Sequence, residues 1–103
     1  MSNNYLIQFL IEFIGTFIFL TVIISTGNPI AIGLVLAGLI FFALYITGGF
    51  FNPAVTTMFY LNKTIDSTQL IIFLIAQFLG GICAYYFYNN YLKSAIEYKK
   101  TDL

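Results

Sequence analysis

The chain contains no arginine, no histidine and no tryptophan, a single cysteine, two prolines and only 8% charged residues over 103 positions. Each shortage closes a class of function. With no Arg, and four Lys balanced by four acidic residues, there is no basic stripe of the kind that neutralises phosphates, which excludes a nucleic-acid partner. With no His, and with Cys83 alone in an apolar run, the chain has neither an internal disulfide nor the ligands of a zinc site. No metal and no cofactor are expected. No candidate nucleophile has a base beside it in the sequence, so an enzyme is not expected either. The first four residues lack Lys, and the apolar run behind them lacks a small-residue cleavage site, which argues against a cleaved signal peptide.

What the chain does have is apolar surface. Hydrophobic residues make up 60% of it and its mean hydropathy is +0.93, far above a soluble domain of average composition. The expected partner is therefore a lipid bilayer, and the expected location an integral, multi-pass one. A helix needs about 20 apolar residues to cross a hydrocarbon core roughly 30 Å thick. Three stretches qualify: Tyr5 to Ser25, with Glu12 its only charge; Pro29 to Ile46, uncharged; and Thr68 to Tyr91, uncharged, containing Gln77 and ending among tyrosines. The turn cluster Thr26-Gly27-Asn28-Pro29 separates the first two, with Pro29 suited to a first helical position. The tyrosines Tyr85, Tyr86, Tyr88 and Tyr91 suit a membrane interface. A polar tail occupies 93–103.

Between the second and third spans lies a shorter apolar piece, Phe50 to Leu61, interrupted by Gly48-Gly49 and Pro53 and closed by Asn62-Lys63. With Asn52 as N-cap and Pro53 as the first helical residue, a helix over 53–61 reaches roughly 13 Å. That is about half a membrane. Irregular backbone leading to a helix that starts at such depth is tolerated only if it is buried in protein or faces water. The reading is a re-entrant loop and half-helix, giving an all-α membrane protein of three spans plus one half-helix in a single unit, 1–103.

Local chemistry suggests what such a loop does. The Asn52 oxygen is placed to accept from the amide of Ala54 or Val55, leaving its NH2 group as a donor into the lumen. The carbonyls of Gly48, Gly49, Phe50 and Phe51 are candidate acceptors along the approach. The positive end of the half-helix dipole disfavours cations and protons at its tip. Glu12 and Gln77 stand as polar residues inside apolar spans, where a partner is required; a proton relay is the sharper reading of Glu12, and Gln77 is a candidate for loop or interhelical hydrogen bonds. Small residues at four-residue spacing, Gly33 and Ala37 on the second span and Ala76, Gly80 and Ala84 on the third, mark candidate packing faces.

The stretch Gly48-Gly49-Phe50-Phe51-Asn52-Pro53-Ala54-Val55-Thr56 resembles the first Asn-Pro-Ala loop of the major intrinsic protein family, the aquaporins and glycerol facilitators. Glu12-Phe13-Ile14-Gly15-Thr16-Phe17 is similar to the family's first-helix pattern, and Ala76-Gln77-Phe78-Leu79-Gly80-Gly81 to its third-helix pattern. The resemblance implies the first of two inverted repeats. It implies that Glu12 braces the re-entrant loop, that Ile32 stands where the family supplies an aromatic to the narrow constriction, and that Tyr45 and Phe50 stand where many members carry histidines. The second Asn-Pro-Ala loop and its arginine are absent.

The function expected is thus a subunit or fragment of a passive channel for water or small neutral solutes such as glycerol. A second half-repeat, from another copy in a homo-oligomer or from a complementary half-channel, would be needed to complete the pore. The alternative is a non-conducting truncated protein, or a modulatory subunit that associates with full-length channels. The family topology puts the N-terminus and Lys63 in the cytoplasm and Lys93, Lys99 and Lys100 outside, against the positive-inside rule. The charge pattern therefore either inverts this half or specifies its orientation weakly.

Overall fold

A computed structural model describes residues 1–102. Its elements are helices, and no strand occurs among the described residues. The first, α1 (Tyr5–Thr26), opens on an Asn4 cap whose side chain accepts from the Ile7 amide. It closes on Gly27, at φ 55°, the left-handed conformation that glycine adopts without a Cβ penalty. The chain then reverses within two residues. Asn28 caps α2 (Pro29–Ala43), accepting from the Ile30 and Ala31 amides, with Pro29 at the first helical position.

The α-helix proper ends at Ala43 rather than continuing to Ile46. The turn that follows keeps helical bonds from Thr47 N to Ala43 O and from Gly48 N to Leu44 O. Regular geometry is then lost because Gly48 and Gly49 take φ values of 92° and 67°, outside any right-handed helix. The half-helix α3 (Pro53–Leu61) follows and returns the chain to the end where it entered. There Lys63 turns the backbone at φ 61°.

Asp66 opens α4 (Ser67–Phe87) with a reciprocal capping box: its carboxylate accepts from the Gln69 amide while the Gln69 side chain accepts from the Asp66 amide. The helix does not stop among the tyrosines. It passes through one π-turn, Tyr88–Leu92, into α5 (Lys93–Asp102), so the described residues of the polar tail are helical. Leu103 lies outside the described residues.

Two helical runs are long and apolar enough to cross a membrane, Tyr5–Thr26 and Ser67–Thr101, and Pro29–Ala43 is a shorter apolar helix. The first and last pack along their length. Gly80 makes this possible: a Cβ there would lie 2.9 Å from the Phe13 carbonyl oxygen and 3.1 Å from the Phe17 amide. Ala76 and Ala84 are buried on the same face. Gly33 and Ala37 on α2 are exposed, and a Cβ on Gly33 would meet nothing within 4 Å. Of the two small-residue faces, the one on α4 is closed within the chain and the one on α2 is open.

The interior is inverted relative to a soluble domain. Buried side chains include Gln8, Glu12, Thr16, Thr47, Thr56 and Gln77, while Leu34, Phe41, Phe42, Phe78 and Ile82 are exposed. A lipid-facing exterior around a polar centre accounts for this, because polar groups have no water partners in hydrocarbon. Aromatic packing fixes the loop at the centre. The Phe50 ring stacks on Phe59 at 4.6 Å and meets Phe73 edge-on at 5.6 Å.

Substitution of Gly80 tests the α1–α4 contact. Gly80→Val forces backbone apart and is expected to cost about 1–3 kcal/mol, seen as a lower unfolding midpoint in detergent. Gly33→Ala should leave the midpoint unchanged. Equal effects of the two would show that helix approach at Gly80 does not hold the fold.

Candidate functional site

The site is built around one carboxylate. Both Glu12 oxygens accept two hydrogen bonds: Oε1 from the Phe51 amide (2.8 Å) and Gln77 Nε2 (2.8 Å), Oε2 from the Thr47 hydroxyl (2.7 Å) and the Phe50 amide (3.3 Å). All four contacts come from donors, which matches a carboxylate acting as acceptor only. Glu12 is fully buried. Hydrogen bonding to this many groups is the condition under which a buried carboxyl is tolerated.

Glu12 therefore fixes the loop on the side before Asn52. A second chain of bonds fixes the side after it. Gln77 Nε2 also donates to the Thr56 hydroxyl at 2.7 Å, and that hydroxyl donates to the Asn52 carbonyl at 2.9 Å. Gln77 thus joins the carboxylate to the first turn of α3. Thr47 has the matching role upstream, donating to Glu12 and accepting from the Gly49 amide at 3.1 Å.

Phe51 is the strained member. It sits at φ 52°, unusual for a bulky residue. Its amide is held by Glu12, and its ring lies over Gly15, where an added Cβ would fall 2.1 Å from the ring. The cost of such backbone, about 1–3 kcal/mol, is offset by contacts available only if residue 15 has no side chain. Gly49 is constrained from the other side, since a Cβ there would lie 3.0 Å from the Ile40 Cα.

With the loop held, Asn52 accepts from both the Ala54 amide (2.8 Å) and the Val55 amide (3.4 Å). Its side-chain oxygen is thereby occupied, and among the described residues Nδ2 has no partner. Asn52 is exposed, at the meeting of two cavities that share it and Phe19. The larger, about 710 Å³, is lined by Phe19, Leu20, Pro53, Phe78, Ile82 and Tyr86 among others. The smaller, about 250 Å³, runs past Gly48, Gly49, Phe50 and Val55. No hydrogen bond among the described residues reaches the carbonyls of Gly48, Gly49, Phe50 or Phe51. The groove thus carries one free amide donor, at Asn52, beside a stretch of backbone whose carbonyls have no partner among the described residues, in mostly apolar walls.

The structure does not bring every expected residue to this place. Phe50 and Phe51 are buried, so they contribute backbone while their rings pack inward. Ala54 is exposed beside the cap. Ile32, half-buried on α2, lines neither cavity at Asn52. Tyr45 is 83% exposed on the outer surface. Thr47 and Thr56, at the ends of the loop stretch, and Gly15, in the first-helix pattern, make contacts that the sequence does not assign to them. The two threonines are unremarkable in type, and only their distance from Glu12 and Gln77 in space reveals them. Gly15 had a signal, a lone glycine inside a β-branched and aromatic helix, which marks a close approach.

A membrane protein whose re-entrant half-helix is capped by Asn52-Pro53 and braced by an intramembrane carboxylate is defined by this geometry. The sequence pattern of the major intrinsic proteins matches residues 27–102, and the chain belongs to that family. Among curated relatives it is similar to glycerol uptake facilitator protein-like 6 of Lactiplantibacillus plantarum, 44% identical over 86 residues, covering 75% of this chain and 40% of that protein. It is also similar to aquaporin PIP2-7 of Arabidopsis thaliana, 33% identical over 100 residues, covering 81% of this chain and 36% of that protein. The glycerol uptake facilitator protein of Buchnera aphidicola is 37% identical over 59 residues, covering 53% of this chain and 22% of its own length. The chain thus spans two fifths or less of these relatives. No solved structure matches it.

Removing the carboxylate tests the brace. Glu12→Ala takes the acceptor from the Thr47 hydroxyl and the Phe50 and Phe51 amides, each costing about 1–3 kcal/mol, while Gln77 keeps its bond to Thr56, and should raise amide hydrogen exchange at Phe50 and Phe51 by at least tenfold relative to Phe73. Glu12→Gln, which retains one acceptor oxygen, should fall between the two. Unchanged exchange in Glu12→Ala would mean that the loop is held by its aromatic packing alone.

Proposed function

We propose that this chain forms one wall of a passive pore for water or small neutral solutes such as glycerol, and that a second half-repeat, from another copy or a complementary partner, completes it. The observation that carries the reading is Asn52: its oxygen is tied to the Ala54 and Val55 amides, its Nδ2 is free, and it stands where the two cavities meet. A water oxygen or solute hydroxyl arriving there meets a donor, and the carbonyls of Gly48 to Phe51 supply acceptors on the approach. The names of the relatives, glycerol uptake facilitators and aquaporins, agree with this.

Charge selection follows from the same element. The N-terminus of α3 points its partial positive charge at the Asn52 position, which opposes the passage of cations and protons. Glu12 stays out of the conduction path in this reading. Its two oxygens are occupied by the loop and by Gln77, and a relay would need a second titratable group that the network does not contain. Glu12 is accordingly a positioning residue, and so are Gln77, Thr47 and Thr56.

The need for a second half rests on the open groove. Asn52 and the apolar wall of Phe78, Ile82, Tyr85 and Tyr86 face outward, and a file of water in contact with lipid on one side would lose hydrogen bonds along its length.

Stopped-flow light scattering on liposomes of verified protein content tests this reading. Under a hyperosmotic step, vesicles holding the chain, alone or with its completing half, should shrink several-fold faster than empty ones. Asn52→Asp, which places negative charge where a neutral donor stood, should abolish most of the gain. Shrinkage no faster than in empty vesicles for every combination, with Asn52→Asp indistinguishable, would leave the non-conducting, modulatory subunit as the correct account.

A further inference from the structure

Two buried polar atoms beside the Asn52 groove have no partner among the described residues: Thr16 Oγ1 on α1 and Gln77 Oε1 on α4. Their residues are closed off almost completely, at 1% and 2% exposed, and both line the larger cavity together with Asn52 and Pro53. A polar atom left unmet in an interior that lipid surrounds is costly. Neither atom has a part in the bonds around Glu12 or in the cap of α3.

The bonds already made fix both atoms in place. Gln77 Nε2 donates to Glu12 Oε1 (2.8 Å) and to the Thr56 hydroxyl (2.7 Å). Turning the carboxamide over would set its oxygen against a carboxylate, which only accepts, and against a hydroxyl whose proton goes to the Asn52 carbonyl. Oε1 is therefore held as an acceptor without a donor. Thr16 differs from the other threonines of its helix. Thr21 and Thr26 bond back to the carbonyls of Phe17 (2.6 Å) and Val22 (2.8 Å), the local way for a threonine to satisfy itself in an apolar helix. Thr16 makes no such bond. It lies where Gly80 lets α4 approach α1, its Cβ 3.1 Å from the point that a Cβ on residue 80 would occupy. Gln77 stands three residues before Gly80 on the same helix face. The two unmet atoms thus share one helix contact and one cavity, with no bond between them.

We propose that a single resident water bridges Thr16 Oγ1 and Gln77 Oε1, in a recess of the groove wall beside Asn52. The water donates to Gln77 Oε1, and the Thr16 hydroxyl, able to donate or accept, takes a second bond. Buried waters are held by about two to four such bonds. Two neutral oxygens suit water. A hard metal cation takes about six oxygen ligands or more, and the positive end of α3 lies on the same cavity. That cavity, about 710 Å³, gives the water its way in.

With the water in place every polar atom of the Gln77 carboxamide is engaged. Thr16 is then a positioning residue for Gln77, acting through the water. A further consequence rests on the pore reading above: the wall beside Asn52 carries a fixed polar contact drawn from α1 and α4, besides the one that the loop offers.

Nuclear Overhauser transfer from water, in isotope-labelled protein held in lipid nanodiscs, tests the site. Cross peaks from water should appear at the Gln77 Nε2 protons and at the Thr16 methyl group. Thr16→Val keeps the shape and removes the hydroxyl. It should weaken the Gln77 cross peak at least fivefold and leave amide exchange at Phe51 unchanged, because Glu12 keeps its bond to that amide. Thr16→Ser, which keeps the hydroxyl, should retain the cross peak. Absence of a water cross peak at Gln77 in the unaltered chain overturns the proposal, whatever the variants do. An undiminished peak in Thr16→Val, or equal loss in Thr16→Ser and Thr16→Val, overturns it as well. So does transfer from the carbon-bound protons of added glycerol in place of water, which would make the recess a solute subsite. Liposome flux keeps the two readings apart: a bridging water in a chain that conducts nothing would defeat the pore reading alone, and flux without the bridging water would defeat this inference alone.

Discussion

A single buried carboxylate organises this protein. Glu12 collects hydrogen bonds from Thr47, Phe50, Phe51 and Gln77, and through Gln77 its reach extends to Thr56 and the first turn of α3. The alternative for each of these donors is an unpaired polar group away from water, which costs more than the net value of an ordinary hydrogen bond. Because the costs arise together, the loop has one satisfactory position. The cap at Asn52, the strain at Phe51 and the free carbonyls of Gly48 to Phe51 are arranged by that position.

The loop divides its chemistry between its two sides. Aromatic rings go inward: Phe50 onto Phe59 and Phe73, Phe51 onto Gly15. The backbone is divided as well: the amides of Gly49, Phe50 and Phe51 go inward to Thr47 and Glu12, while Gly48 and Gly49 at positive φ permit a turn in which successive carbonyls stay unpaired. Side-chain identity at Phe50 and Phe51 thus governs fit, and the lining of the groove there is main chain. Asn52 is the exception, the one position where a side chain itself is offered to the groove.

How much of this can be read from sequence depends on how far apart the interacting residues lie. Asn52-Pro53 and the capping of α3 are legible because the bonds connect residues two and three positions apart. Glu12 and Gln77 are legible as polar residues that an apolar span must have a reason to hold. Their partners are not: the bonds from Thr47 and Gln77 to Glu12 cross 35 and 65 positions, and threonine alone carries no signal at either Thr47 or Thr56. The end of α2 at Ala43 was hidden likewise, since Leu44, Tyr45 and Ile46 are apolar, and it is the glycines beyond them that unwind the helix. The small-residue spacing was equally clear on α2 and α4. Only tertiary packing separates Gly80, closed against α1, from Gly33, which touches nothing.

The order of the residues along the chain imposes a schedule on biosynthesis. Glu12 leaves the ribosome well before Thr47, Phe50 and Phe51, and Gln77 comes later still. When α1 reaches the translocon, its carboxyl has none of the partners it will later have, at a depth where insertion scales assign a charged residue about 2.5–3.5 kcal/mol. Only the isoleucine, leucine and phenylalanine around it favour partitioning at that moment. The re-entrant loop, in turn, has no receptor until α1 is in place and is not secured on its Thr56 side until α4 has entered. Maturation of the Asn52 site therefore waits for Gln77, and a chain stalled before residue 77 would hold a loop fastened on its Thr47 side and not on its Thr56 side.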